Sequence, residues 1–477
     1  MKEIYKVKNF INGKFIDNTE KLPVYQKFSG ELLAEVPIAT PLQVEEAIAS
    51  ATESFHVFKH FSAEKRAGIL KELYDLLQQN FDKFYRIIAE EAGKPVSYAQ
   101  SEVNRALDNI ETGIRATLEF SGRQIPMDYL NGKGKTAYTL RFPSGPVLGI
   151  TPFNFPLNLA LHKLIPAVGV GAPVILKPAP QAPVTLLLLA ELLEQTDLPQ
   201  GAVNILYTTN DLSQKMVEDD RLKILSFTGS DKVGWKLKSL AGKKKVLLEM
   251  GGNAAAIIDD SADLKRATKK LAYGSYLNAG QICISTQRIY VVDSVFDTFL
   301  NYFIEETRQI KSGDMFDPDV VNSSMISQND LLRIDTWVQE AVEQGAKILE
   351  GGKILNKKAN IYAPTILTNT TPEMKVWSEE AFAPVVLVEK VKDFKQAVAA
   401  TNNTRYGLQA GIFSNNIKHI LYAQNHLEVG GVIINDIPGF RIDGMPYGGI
   451  KDSGMGREGA LYAMYDFTEP RLIVIDA

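Results

Sequence analysis

Between Gly145 and Met250 the chain alternates short apolar runs with helix-like segments, and this rhythm restricts the fold more than any other feature. Pro146-Val147-Leu148-Gly149-Ile150 reads as a buried strand, Leu157 to Val170 as a helix, Pro173 to Lys177 as a second strand, and Pro183 to Gln195 as a second helix with proline in its first turn. Val203–Leu206, Lys223–Phe227 and Lys245–Glu249 continue the series. Apolar strands separated by helices predict a parallel sheet covered on both faces, and such sheets bind ligands at the carboxyl ends of their strands. The alternation resumes less cleanly from Ala254–Ile258 to about Gly449, which predicts a second α/β domain.

The flanking regions read differently. Asn9 to Ile16 places an Asn12-Gly13 turn between short apolar runs, a hairpin signal. From Ala63 to Glu91 apolar residues recur every three or four positions until Gly93-Lys94-Pro95 stops them, so a helical region is predicted there. The tail Arg471-Leu472-Ile473-Val474-Ile475 is an apolar strand without an evident neighbour; it either completes a sheet in another subunit or forms an internal edge.

Composition excludes several classes. At about 150 residues per domain, 477 residues give about three units or two large ones. With 45% apolar and 23% charged residues the chain has the make-up of a globular protein rather than a disordered one. A single cysteine cannot form an internal disulfide, which removes the disulfide-stapled secreted class and favours a reducing compartment. A net charge of −4 offers no basic field for nucleic acid. The longest uncharged apolar stretch, Leu164 to Leu176, is broken by Pro166 and Pro173 and falls short of the about 18 residues a membrane span needs. The first residues carry charges where a signal peptide has its apolar core. The expectation is a cytoplasmic protein with no membrane or nucleic-acid partner and no bound metal.

Four local patterns carry chemistry. Phe227-Thr228-Gly229-Ser230-Asp231-Lys232-Val233-Gly234 ends a strand and opens a helix, where free N–H groups can face a pyrophosphate; taken alone, the pattern reads better as an ordinary turn with a serine cap. The GxGxxG fingerprint is missing after the first strand of the sheet. Cys283, after Ala279-Gly280-Gln281-Ile282, is either a small core residue or a thiol exposed by a turn, and near its free pKa of about 8.5 it would supply usable thiolate. Glu249 ends an apolar strand, where burial raises a carboxyl toward the range of a general base, unless it pairs with Lys243, Lys244 or Lys245. Asn154, between Pro152 and Pro156, is either an oxyanion donor or a turn residue.

Taken together these patterns form a series. Thr151–Pro156, Lys177-Pro178-Ala179, Leu198–Asn204, Phe227–Gly234, Leu248–Gly252, Gly280–Cys283, Glu379–Pro384 and Pro446–Glu458 stand in an order that resembles the NAD(P)-dependent aldehyde dehydrogenase superfamily over essentially the whole chain. The resemblance implies a Rossmann-type cofactor domain (residues 1–120 and 144–251), an α/β catalytic domain (252–449), and a small β bridging element (121–143 and 466–477) that joins copies into a homodimer or homotetramer. It implies that Cys283 attacks the aldehyde carbonyl, that Asn154 and the backbone N–H of Cys283 hold the oxyanion, and that Glu249 activates the water that releases the acid. It assigns Lys177 to the adenosine ribose, Ser230 to the diphosphate, Glu380 to the nicotinamide ribose and Phe382 to the side of the ring. Thr151, Phe153, Gly201 and Gly229 join them as cofactor contacts for NAD or NADP.

Departures from the family pattern qualify the carry-over. Many NAD-preferring relatives have Glu three residues after the lysine equivalent to Lys177; here Pro180 stands there, which removes repulsion against a 2′-phosphate and predicts relaxed cofactor use. Gly251-Gly252-Asn253 and Pro438–Pro446 are similar to the branch acting on lactaldehyde, glyceraldehyde phosphate and phosphonoacetaldehyde. In that branch Arg441, Arg105 on a helix predicted over Ser101–Ala116, Phe155 and Ile282 are candidates for the substrate end, the arginines reading equally as structural. Ile282 stands where enzymes for phosphorylated aldehydes often carry Arg, which favours a small, uncharged or hydroxylated aldehyde. Retention of Glu249 argues against a CoA-acylating semialdehyde dehydrogenase, and retention of Cys283 and Glu249 against an idle binding or structural protein on the same fold.

Overall fold

Two sheets organise the molecule, which the computed structural model describes over residues 4–476; the first three residues and the last, counted in the expected cofactor domain and bridging element, lie outside the described residues. The first sheet has eight strands in the order Lys14–Ile16, Asn9–Ile11, Val203–Ile205, Val174–Lys177, Val147–Ile150, Ile224–Gly229, Lys245–Met250 and Gly454–Met455. Its five central strands are parallel. Val147–Ile150, Val174–Lys177 and Val203–Ile205 are buried at every position, as expected for strands covered on both faces. The chain moves outward from Val147–Ile150 in one direction and then returns to its other side with Ile224–Gly229. The order therefore reverses beside Val147–Ile150, and a crevice opens at the carboxyl ends of such strands.

The second sheet has seven strands, Lys347–Glu350, Thr365–Thr368, Val385–Val391, Arg288–Val292, Ala255–Ile258, Gln409–Phe413 and Gly431–Ile434, all parallel except the first. After it the chain crosses back, and Gly454–Met455 pairs antiparallel with Leu248 and Glu249, so the strand that carries Glu249 is held on both edges.

The predicted helical region over 63–91 is two helices, Ala63–Gln79 and Phe81–Ala92. Asn80 breaks them, its side chain donating to the Leu76 carbonyl at 2.8 Å, a local bond that competes with the helix ladder without disturbing the apolar period. The helix carrying Arg105 is longer than predicted, Val96–Glu119. The apolar tail, Thr468–Asp476, pairs over nine residues with Lys135–Pro143 of its own chain, whose other side takes Gln124–Ile125. It is thus an internal strand, and it leaves one edge of this three-stranded sheet free. Among the described residues no helix is long and apolar enough to cross a membrane.

Candidate active site

Cys283 sits just beyond a turn that the chain can make only with unusual backbone. Asn278 and Ala279 have φ of 55° and 54°, a region that is costly for residues with a Cβ. Gly280 follows at φ 68°, and a Cβ there would lie 2.1 Å from the Ala383 carbonyl oxygen, so glycine is required. Gln281 ties the turn down: its Nε2 donates to the Asn278 and Ser324 carbonyls at 3.1 and 3.3 Å, and its Oε1 accepts from the Ile326 N–H at 2.8 Å. Asn154 Nδ2 donates to the Gln281 carbonyl at 2.9 Å. An amide has two N–H donors, so one anchors Asn154 to the nucleophile's turn and one is left for a ligand.

A cavity of about 790 Å³ opens at the reversal of strand order and is lined by Cys283, Glu249 and Asn154 together with Thr151, Phe153, Lys177, Gly229, Ser230, Glu380 and Phe382. The structure thus gathers residues from positions 151 to 382 into one cleft. Gly201 is the exception. It lies in the turn entering Val203–Ile205 at φ 77°, where a Cβ would come 2.6 Å from the Ser50 carbonyl oxygen, and it does not line the cleft.

Glu249 is buried at the end of its strand, and neither carboxyl oxygen has a hydrogen-bond partner. Lys245, one of the lysines that might have paired with it, bonds the Thr468 carbonyl and Glu469 instead. Burial, then the charge of Glu458, pushes the Glu249 carboxyl up to about 7, while Arg441 and Lys163 pull the other way. Cys283 is a free, half-buried thiol. Its pKa is not near the free value: burial, then Glu249, raises it well above, with Tyr447 and Arg441 opposing. Tyr447 Oη donates to Cys283 Sγ at 3.5 Å.

The substrate-end candidates lie outside the lining of this cleft and form a buried ionic network. Arg105 bonds Asp443 through Nε and Nη2 at 3.1 and 2.8 Å. Arg441 bonds His162 and Glu458 at 3.0 and 3.1 Å and stacks 3.7 Å over the Tyr447 ring. Lys163 reaches Thr228 at 2.6 Å and Glu458 at 3.3 Å. Asp443 is held well below the usual carboxylate range by His162 and Arg105, which outweigh its burial. Phe155 lies under Lys94 and edge-on to Tyr98, and Ile282 packs with Cys283 beside Ile284, Leu408 and Tyr447. Sequence reasoning missed His162, Lys163, Asp443, Tyr447 and Glu458 as site residues. A His-Lys pair inside an otherwise apolar helix, Asn158–Val170, was the signal for the first two, and Asp443, Tyr447 and Glu458 stood within the matching segments Pro438–Pro446 and Pro446–Glu458.

A dinucleotide fits the cleft. Thr151 Oγ1, buried at the end of the central strand, has no partner. Ser230 stands at the N-cap of Asp231–Leu240 without capping it, so the helix's first N–H groups are free of its hydroxyl and suit a phosphate. A Cβ on Gly251 would lie 2.1 Å from Glu380 Oε2, so the glycine admits the carboxylate, which also accepts from the Gly252 N–H at 3.1 Å. Phe153 and Phe382 meet edge to face with centroids 5.8 Å apart.

A parallel sheet with a cleft at its switch point, lined by the chain's one thiol and by a buried carboxyl, defines the class of α/β enzymes that bind a dinucleotide at the carboxyl ends of their strands. The profile of the Aldehyde dehydrogenase family matches residues 15–473. The chain is 38% identical over 469 residues to 3-sulfolactaldehyde dehydrogenase of Priestia aryabhattai, covering 98% of this chain and 97% of that protein. It is 35% identical to lactaldehyde dehydrogenase of Methanococcus aeolicus, covering 98% and 99%. Among solved structures, aldehyde dehydrogenase 21 from Physcomitrella patens, in complex with the reaction product succinate, superposes with a TM-score of 0.96 at 38% identity over 99% of this chain and 98% of that one. Glyceraldehyde-3-phosphate dehydrogenase from Methanocaldococcus jannaschii, complexed with NADP, does so with a TM-score of 0.92 at 34% identity over 96% and 100%. The chain belongs to the aldehyde dehydrogenase family, oxidoreductases that use NAD or NADP.

Proposed function

We propose that the protein oxidises a small aldehyde to its carboxylic acid through a thioester on Cys283, released by water that Glu249 activates. The observation that carries this reading is a buried carboxyl with no hydrogen-bond partner, pushed up to about 7, in the same cleft as the chain's one thiol. The Cys283 sulfur adds to the carbonyl carbon, and charge develops on the carbonyl oxygen. The second N–H of Asn154, beside the backbone N–H of Cys283, meets that oxygen in the transition state, where such a donor is worth about 10²–10³ in rate. When bound, NAD(P) accepts the hydride. The acyl group then remains on sulfur, and Glu249, ionised near neutral pH, takes a proton from the attacking water. Lys177, Ser230, Glu380 and Phe382 would hold the cofactor, residues 4–120 and 144–251 forming its domain and 252–449 the catalytic one. Pro180, which lines the cleft near Lys177, leaves room for either NAD or NADP.

The substrate end favours a short tail with a hydroxyl or one negative charge. Arg105, Arg441 and Lys163 face Asp443 and Glu458, three cationic side chains against two carboxylates, and burial and the charge of Arg441 lower the pKa of the neighbouring His162. Relatives named for sulfolactaldehyde and lactaldehyde, and one bound to succinate, accord with that class. The free edge of Thr468–Asp476, with Leu472, Val474 and Ile475 exposed, would join copies of the chain.

A panel of lactaldehyde, 3-sulfolactaldehyde, succinic semialdehyde and glyceraldehyde 3-phosphate, assayed with NAD and NADP and without CoA, tests the reading. Acid formation should proceed with both cofactors at kcat/KM values within a hundredfold of each other. The hydroxylated or monoanionic aldehydes should lead the phosphate ester by about tenfold or more, the size of an unmatched charge contact. A requirement for CoA, or a lead for the phosphate ester, would contradict it.

A further inference from the structure

We infer that Tyr447 is a catalytic residue whose phenol donates a hydrogen bond to the Cys283 sulfur and favours the thiolate form of the nucleophile, with Arg441 as the positioning residue behind it. The inference rests on the reading of Cys283 as nucleophile. The geometry is direct: Tyr447 Oη lies 3.5 Å from Sγ, and the tyrosine is 2% exposed. Two independent contacts fix the ring. Its backbone forms a two-way bridge with Glu458, N–H to carbonyl at 3.1 and 2.7 Å. The Arg441 guanidinium covers its face at 3.7 Å and is itself held by Glu458 and His162. Glu458 thus anchors both the ring and the cation over it.

The chemistry requires such a donor. The groups that face the thiol are Glu249, Glu380, Tyr447 and Arg441. Burial and the two carboxyls oppose ionisation of the sulfur, so a nucleophile in this position needs groups that work against them. Tyr447 and Arg441 are the two that favour the thiolate, and they are stacked on each other. A cation over the ring makes the phenol O–H a better donor, so Arg441 acts on sulfur partly through Tyr447. Lowering a thiol's pKa weakens each thiolate as a nucleophile, by a Brønsted slope of about 0.4–0.5, but the ionised fraction grows faster, so attack near pH 7 still gains. Once sulfur has bonded to carbon it is a poorer acceptor, and the hydrogen bond weakens. It therefore serves the free nucleophile and does not retard release of the acyl group.

A buried tyrosine that merely needed a partner for its hydroxyl would leave the sulfur's ionisation unchanged, and this separates the two roles. With one cysteine in the chain, the pH dependence of iodoacetamide alkylation reports Cys283 alone. In the full-length Tyr447→Phe protein the midpoint of that profile should rise by about half a unit to one unit, and alkylation at pH 7 should slow by about threefold to tenfold, the range one net hydrogen bond sets. The NAD(P)H burst rate should fall by a similar factor, while the cofactor Kd stays within twofold. Arg441→Met, which keeps ring and hydroxyl, should shift the profile in the same direction by less. A Tyr447→Phe profile that overlays the unsubstituted one would overturn the inference while leaving Cys283 as nucleophile. Oxidation that survives in Cys283→Ala would instead overturn the reading on which it rests.

Discussion

Glu249 has the most exacting position of any single residue in the molecule. It is a buried carboxyl on the wall of the cleft, and burial and Glu458 together push it up to about 7 from an ordinary 4.5. This has a measurable cost to the fold, and the sign can be worked out. The folded protein keeps the Glu249 proton at pH values where the unfolded chain has released it, so between about 4.5 and 7 the unfolded state binds fewer protons and stability falls as pH rises. Below that window both states are protonated, and above it both are ionised. Thermal unfolding of Glu249→Gln, which cannot ionise, should therefore gain on the unsubstituted protein across this window, with a Tm difference that grows from pH 4.5 to 7 and then levels. A difference that is flat, or that shrinks with pH, would show that the carboxyl is compensated after all. An unsatisfied, easily stabilised residue is what a site held ready for water would carry.

At the scale of elements, the three-stranded sheet makes the clearest prediction. Thr468–Asp476 is satisfied along Lys135–Pro143 but leaves its outer edge unpaired, with Leu472 58% and Val474 48% exposed. Natural sheets cover or charge such edges, and here the apolar side chains call for another copy. Light scattering on the purified chain should give the mass of a dimer or tetramer, and Leu472→Glu should move it toward the monomer; a monomer without any substitution would contradict the assembly. This strand also shows what was legible in the sequence. Its β-type apolar run was plain, but its partner lies more than 300 residues away, and no local pattern announces so distant a pairing. The strands of the first sheet were legible because both faces are buried and their sequences are continuously apolar. The 63–91 region looked unbroken because Asn80 interrupts the helix through a side-chain bond without changing the apolar period. Turn residues and a strand end marked Cys283, Glu249 and Asn154 only ambiguously, and it was the order of motifs along the chain that singled them out; the structure brings the three into one cleft. Arg441 was read for its charge, and its actual place, stacked on Tyr447 and bonded to His162 and Glu458, depends on contacts between distant segments. Gly201 was read by motif, and the structure places it in a turn outside the cleft lining.

For the whole molecule, the site exists only because two sheets and a returning segment converge. The first sheet supplies Asn154, Lys177, Ser230 and Glu249 at the carboxyl ends of its strands or just beyond them. The turn before Arg288–Val292 supplies Cys283, and the segment before Val385–Val391 supplies Glu380 and Phe382. The crossing strand Gly454–Met455 then clamps Glu249, with Tyr447 and Glu458 on either side of it in sequence. Glu249 thus comes from the sheet that forms most of the cleft and Cys283 from the second half of the chain, which fits the proposed division between taking up the acyl group on sulfur and releasing it with water. The measurement that tests this division most directly is a rapid-mixing experiment on Glu249→Gln with aldehyde and saturating NAD(P). The account predicts a burst of one NAD(P)H per site, an acyl adduct on Cys283 detectable by mass, and slow turnover afterward. Steady-state oxidation at the unsubstituted rate, with no acylated chain, would contradict it.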